Sequence, residues 1–127
     1  MKKNLLVHKH LIVRAESKRP IKDEEHAVEW MGELIENLKM KVFLGPYAKY
    51  CSMEGNRGLT VVAIIETSHI VMHIWDEVNP GLMQLDVYSC ADFNPENIFD
   101  KVNELFKTVK IEYKFLDREK ELVEVNL

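Results

Sequence analysis

The sequence predicts an α+β two-layer sandwich, a mainly antiparallel sheet with two helices on one face. Three observations lead there. Short β-branched and apolar runs recur along the chain, as strands require. Two longer segments instead carry apolar residues at helical spacing. Their order, β-α-β-β-β-β-α-β, separates four consecutive strands from the two helices, which suits helices gathered on one side of a sheet. The strands are apolar on both parities, so the sheet face away from the helices is expected to meet a partner subunit.

Residues 4–15 read as the first strand, with Leu6, His8, His10 and Ile12 on one face and Leu5, Val7, Leu11 and Val13 offset from them. A polar connection, ESKRPIK, fills 16–22, and Asp23 is placed to cap a helix. From 24 to 40, Ala27, Val28, Trp30, Met31, Leu34, Ile35 and Leu38 form one apolar stripe. A strand near 41–50 precedes the turn-rich loop SMEGNRG, 52–58. Strands over 59–66 and 69–76 follow, then VNPG at 78–81 and a strand over 82–90. Asn94-Pro95 supplies an N-cap and a proline at the first helical position. Ile98, Phe99, Val102, Leu105, Phe106 and Val109 then recur at core spacing, before a last strand near 110–116 and a charged tail.

At 127 residues the chain suits one domain, 1–127, with a core large enough to need no metal or disulfide staple. A hydrophobic share of 46% beside 30% charged residues fits a soluble globular protein. The net charge of −4, with no basic stripe, argues against a nucleic-acid partner. No apolar run reaches the ~20 residues of a membrane span. In MKKNLLVHKHLIV the polar His8-Lys9-His10 breaks the apolar region and no small-residue cleavage site follows, against a signal peptide, so the cytoplasm is the expected location. The two cysteines, Cys51 and Cys90, lack a CxxC spacing and should be free thiols there.

The stretch IIETSHIVMHIWDE, 64–77, stands apart. Two strand-like segments meet at Glu-Thr-Ser-His, where a plain hairpin would prefer Asn-Gly or Asp-Gly. On a strand, His69 and His73 share a face with Val71 and Trp75 but lie ~13 Å apart, too far for one metal. His8 and His10 form an HxH pair with no evident third ligand. No metal site is expected.

With Ser68-His69, His73, Trp75, Glu77, Asp86-Val87 and Cys90 in this order, the segment from Gly58 to Cys90 resembles the prokaryotic-type S-adenosylmethionine decarboxylase family. That resemblance implies a self-processing, pyruvoyl-dependent carboxy-lyase of polyamine synthesis that cleaves itself between Thr67 and Ser68. Ser68 would attack the preceding carbonyl, and elimination would convert it to a covalent pyruvoyl cofactor. The pyruvoyl carbonyl would form a Schiff base with the substrate amine and draw in the electrons released as CO₂ leaves. In the matching roles Thr60, where the family usually has Ser, and His73 assist processing. Cys90 is the general acid toward the substrate carbon. Glu77 binds the ribose hydroxyls, with Trp75 as a second substrate-binding residue. Tyr50 is the nearest candidate for the aromatic that stacks on adenine, because SMEGNRG offers none. The family pattern is a homodimer of cleaved protomers. This chain departs from it with Thr67 in place of Glu, Asp76 in place of Pro, and a slightly longer VNPGLMQ loop. Two alternatives stay open: the same chemistry on arginine or ornithine, and a non-cleaving relative that serves as a binding or regulatory subunit.

Overall fold

A computed structural model describes residues 7–127. The part of the first predicted strand before Val7, with Leu5 and Leu6, lies outside the described residues. Within them the chain runs β1 (Lys9–Ser17), α1 (Glu24–Asn37), β2 (Val42–Cys51), β3 (Gly58–Ile65), β4 (Ser68–Trp75), β5 (Gly81–Ser89), α2 (Pro95–Phe106), β6 (Thr108–Asp117) and a two-residue β7 (Val123–Glu124). The strands form one sheet in the order β2-β3-β4-β5-β1-β6-β7. Every pairing is antiparallel. The predicted α+β sandwich is the observed fold, with β7 added at the edge.

Local chemistry explains the helix boundaries. Asp23 caps α1 by accepting from the backbone of Glu25, and Asn94 caps α2 by accepting from Glu96. Pro95 follows at the first helical turn, where its missing N–H costs nothing. Helix α1 stops at Asn37, short of the predicted 40, as Lys39 turns left-handed at φ 61°. Helix α2 likewise ends where Lys107 adopts φ 50° and returns its N–H to the Asn103 carbonyl. Val109, assigned from its spacing to the second helix's core face, therefore belongs to β6 and is exposed.

The core lies between the helices and one sheet face. Leu11, Val13 and Ala15 of β1, Ile70, Met72 and Ile74 of β4, and Met83, Leu85 and Val87 of β5 are all buried against Trp30, Met31, Leu34, Ile98 and Phe106. Each buried aliphatic side chain of this kind contributes roughly 1.5–3 kcal/mol. The Trp30 indole donates to the Lys101 carbonyl at 3.0 Å and ties α1 to α2. Strand parity then sends His10, Ile12, Thr60, Val62, Ile64, His69, Val71, His73, Gln84, Asp86 and Tyr88 to the opposite, open face. Ile12 and Ile64 are exposed there. Among the described residues no helix is long and apolar enough to cross a membrane.

Candidate active site

The polar stretch between β3 and β4 is a two-residue hairpin loop, Glu66-Thr67, closed by the Ile65–Ser68 pair. Neither loop residue is the glycine or asparagine such turns favour. The deviation appears one residue later: Ser68 has φ +139°, a region L-residues rarely occupy. A residue held there costs on the order of 1–3 kcal/mol, which the surrounding pairing must offset. Strand β5 supplies that pairing, since Ser68 lies opposite Ser89. Just beyond β5 the backbone N–H of Cys90 donates to the Thr67 carbonyl at 2.8 Å. The Ser89 hydroxyl donates to the Thr67 hydroxyl at 2.9 Å and accepts from the backbone of Ala91 at 3.0 Å. Ser89 is fully buried, while Cys90 is half-buried with a free thiol. Thr67, Ser68 and Cys90 are thus gathered at one end of the sheet, although Cys90 lies far along the sequence.

The other residues of the pattern gather at the opposite end of β4. Thr60 and His73 are register partners, and their hydroxyl and Nδ1 share a hydrogen bond of 2.8 Å. The Trp75 indole donates to Asn56 Oδ1 at 2.9 Å, with its rings 5.9 Å from the His73 ring. Together with Cys51, Asn56 and Gly58 these side chains line a depression of about 290 Å³. Glu77 closes the loop beneath it: its carboxylate accepts from the backbones of Gly55 and Arg57 at 3.1 Å each, and from Arg57 Nη1 at 2.9 Å. Those two backbone donors, aided by the Arg57 charge, hold its pKa below the ordinary carboxylate range.

Five residues of extended strand separate Ser68 from His73, roughly 16 Å. A single chain therefore divides the predicted processing residues into two groups, Ser68 with Thr67, beside which the predicted general acid Cys90 lies, and His73 with Thr60. Tyr50 belongs to neither. It pairs with Leu59, packs against the core, and so faces away from Thr60. Its hydroxyl donates to Asp76 Oδ2 at 2.7 Å, and that bond, with partial burial and the carboxylates nearby, raises its pKa.

Between the two ends the open face carries a polar cluster. Asp86 bonds His10 and lies 3.8 Å from His69, and His8, His10 and His69 surround the Tyr88 ring. The Arg118 guanidinium stacks 4.3 Å over that ring. Among the described residues no group of three or more His, Cys, Asp or Glu side chains could hold a metal. Two residues were not visible as site members in the sequence, Arg118 and Ser89. Arg118 gave no signal in its charged tail. Ser89 gave one, a hydroxyl at the strand parity otherwise filled by Met83, Leu85 and Val87.

Comparison with known proteins places the chain in a family. The sequence model of the S-adenosylmethionine decarboxylase family matches residues 9–119. A 64-residue segment is 44% identical to an S-adenosylmethionine decarboxylase proenzyme of Pyrobaculum islandicum and 42% identical to that of Pyrobaculum arsenaticum. Each of these matches covers 50% of this chain and 50% of the relative, so the chain spans about half the length of the curated relatives it matches. The crystal structure of the adenosylmethionine decarboxylase from Aquifex aeolicus superposes with a TM-score of 0.68, over 98% of both chains at 20% identity, a likeness of fold. With a family model spanning nearly the whole sheet and both helices, the chain belongs to the S-adenosylmethionine decarboxylase family.

Proposed function

We propose that the chain is a self-processing, pyruvoyl-dependent decarboxylase that acts on S-adenosylmethionine in the cytoplasm. The observation that carries this reading is Ser68 at φ +139° beside a Thr67 carbonyl polarised by the Cys90 N–H. Ser68 Oγ bonds to the Thr67 carbonyl carbon, and the Cys90 N–H stabilises charge on the carbonyl oxygen. The Thr67–Ser68 C–N bond then breaks, the hydroxyl proton passes to the freed nitrogen, and an ester replaces the amide. Loss of the Ser68 α-proton expels Thr67 as a carboxylate. Water replaces the resulting imine nitrogen, which leaves as ammonia. Relief of the strained φ favours the first step. The word proenzyme in the relatives' names supports such a maturation.

The pyruvoyl group would supply an electron sink for decarboxylation, and Ser68 at the strand start fits its formation. The chain's own residues do the rest. Cys90, adjacent to both Ser89 and the cleavage point, delivers the proton that replaces CO₂. Thr60 and His73, hydrogen-bonded to each other, move protons during processing, but from a second copy, since their own Ser68 is too distant. The open face, with Ile12 and Ile64 exposed, supports a homodimer in which two such faces meet. Trp75 and the depression around it bind substrate, with Glu77 at the rim.

Glu77 favours a second reading. Its carboxylate oxygens already serve Gly55 and Arg57, which leaves less capacity for ribose hydroxyls and keeps arginine or ornithine as candidate substrates. Intact mass of purified protein tests cleavage first. Fragments 1–67 and 68–127, the second without a free amine, are expected, and Ser68→Ala should remain whole. Release of CO₂ from S-adenosylmethionine, but not from arginine or ornithine, then selects the substrate. A wild-type chain that stays intact on long incubation leaves only the non-cleaving, regulatory alternative.

A further inference from the structure

We propose that Ser89 is a positioning residue for self-cleavage: through the Thr67 hydroxyl it fixes the carbonyl that Ser68 attacks. This rests on the reading that the chain cleaves between Thr67 and Ser68. Burying a hydroxyl among aliphatic side chains is unfavourable unless it is hydrogen-bonded. Ser89 is 0% exposed and sits at the strand parity of Leu85 and Val87, where an alanine would pack without that cost. Its hydroxyl uses its donor on Thr67 Oγ1 and an acceptor position on Ala91 N–H, so its rotamer is set from both sides.

The neighbouring Cys90 N–H grips the carbonyl of the same threonine. Thr67 is therefore held twice, by side chain and by main chain, from two consecutive residues of the adjacent strand end. One tether leaves a hinge, and a second restrains it. The bond to Ser89 restricts rotation of Thr67 about the Cys90 bond, so the carbonyl next to Ser68 is held in place. The step so prepared forms the Ser68 Oγ–Thr67 C bond, breaks the Thr67 C–Ser68 N bond, and moves the hydroxyl proton to nitrogen. Misplacement by a fraction of an ångström at such a point slows reaction steeply. The device depends on a side-chain acceptor at position 67, which the Thr67 hydroxyl supplies in this chain.

The test follows the rate at which freshly produced full-length chain converts to fragments 1–67 and 68–127, by intact mass. Ser89→Ala should slow conversion on the order of ten- to a hundred-fold. Thr67→Val, which keeps the shape and removes the acceptor, should slow it similarly. The double variant should be no slower than either single one, because both remove one interaction. Ser89→Thr, which restores a hydroxyl, should recover rate relative to Ser89→Ala. Thermal melting of each variant separates slowed chemistry from poor folding, and Thr67→Val reads the tether alone should Ser89→Ala fold badly. Conversion of Ser89→Ala or Thr67→Val at the wild-type rate, or multiplied effects in the double variant, overturns the positioning role while leaving self-cleavage intact. A wild-type chain that never converts overturns self-cleavage itself, and this role with it.

Discussion

Glu77 illustrates how much a single carboxylate can organise. Three N–H donors from Gly55 and Arg57 converge on it and depress its pKa, the backbone bonds first. A depressed folded-state pKa means that the contribution is present above the unfolded carboxylate's pKa and is lost as pH falls through the lower, folded value. The 52–58 loop should therefore loosen only in acid. Trp75, bonded to Asn56 of that loop, reports the change. Its fluorescence should shift to the red as pH drops below the carboxylate range. Glu77→Gln should show the shifted emission already at neutral pH and no acid step. The site is exposed, so added salt should weaken the effect. Cys90 makes a different prediction at the same scale. Its backbone N–H serves processing and its thiol serves turnover, so Cys90→Ala should still cleave yet release CO₂ much more slowly, as measured by fragment mass and by CO₂ evolution side by side.

At the scale of an element, β3 and β4 show how a hairpin can serve two chemical sites, one at each end. Its loop end presents Thr67 and Ser68, and its open end presents Thr60, His73 and Trp75. The open end closes tightly because Gly58 has no side chain. A Cβ there would lie 1.7 Å from the Ile74 carbonyl oxygen and 2.9 Å from Trp75 Cα, both backbone atoms that cannot step aside. Gly58→Ala should therefore pry apart the Gly58–Trp75 pairing, cost about 1–3 kcal/mol or more in urea unfolding, and weaken the Thr60–His73 bond. Unchanged stability would mean that the two strands approach less closely than their register implies.

For the whole molecule the decisive fact is the roughly 16 Å between Ser68 and His73 on one strand. If two copies complete each other's sites, a chain defective in one group can be served by a partner intact in it. His73→Ala chains produced alone should cleave slowly. Produced together with Ser68→Ala chains, which retain His73, they should yield fragments again, and a mass tag on the His73→Ala chain identifies whose fragments they are. Equal cleavage of His73→Ala alone and in mixture would show that each chain processes itself unaided.

Much of this architecture was legible from neighbouring residues. The alternation of Ile70, Met72 and Ile74 with His69, Val71 and His73, the caps Asp23 and Asn94, and the Ser68-to-Cys90 pattern all depend on spacing along the chain, and spacing is local information. The sequence by itself thus determined the order of the main elements, most of their buried faces and the family, though not β7 or the place of Val109. What only tertiary structure decided was who meets whom. Strand β1 enters between β5 and β6, Tyr50 turns toward the core and Asp76, Glu77 grips Arg57, and Ser89 reaches Thr67. Those outcomes depend on pairing between distant segments, whose choice is settled by the packing of the whole sheet and leaves no period in the sequence.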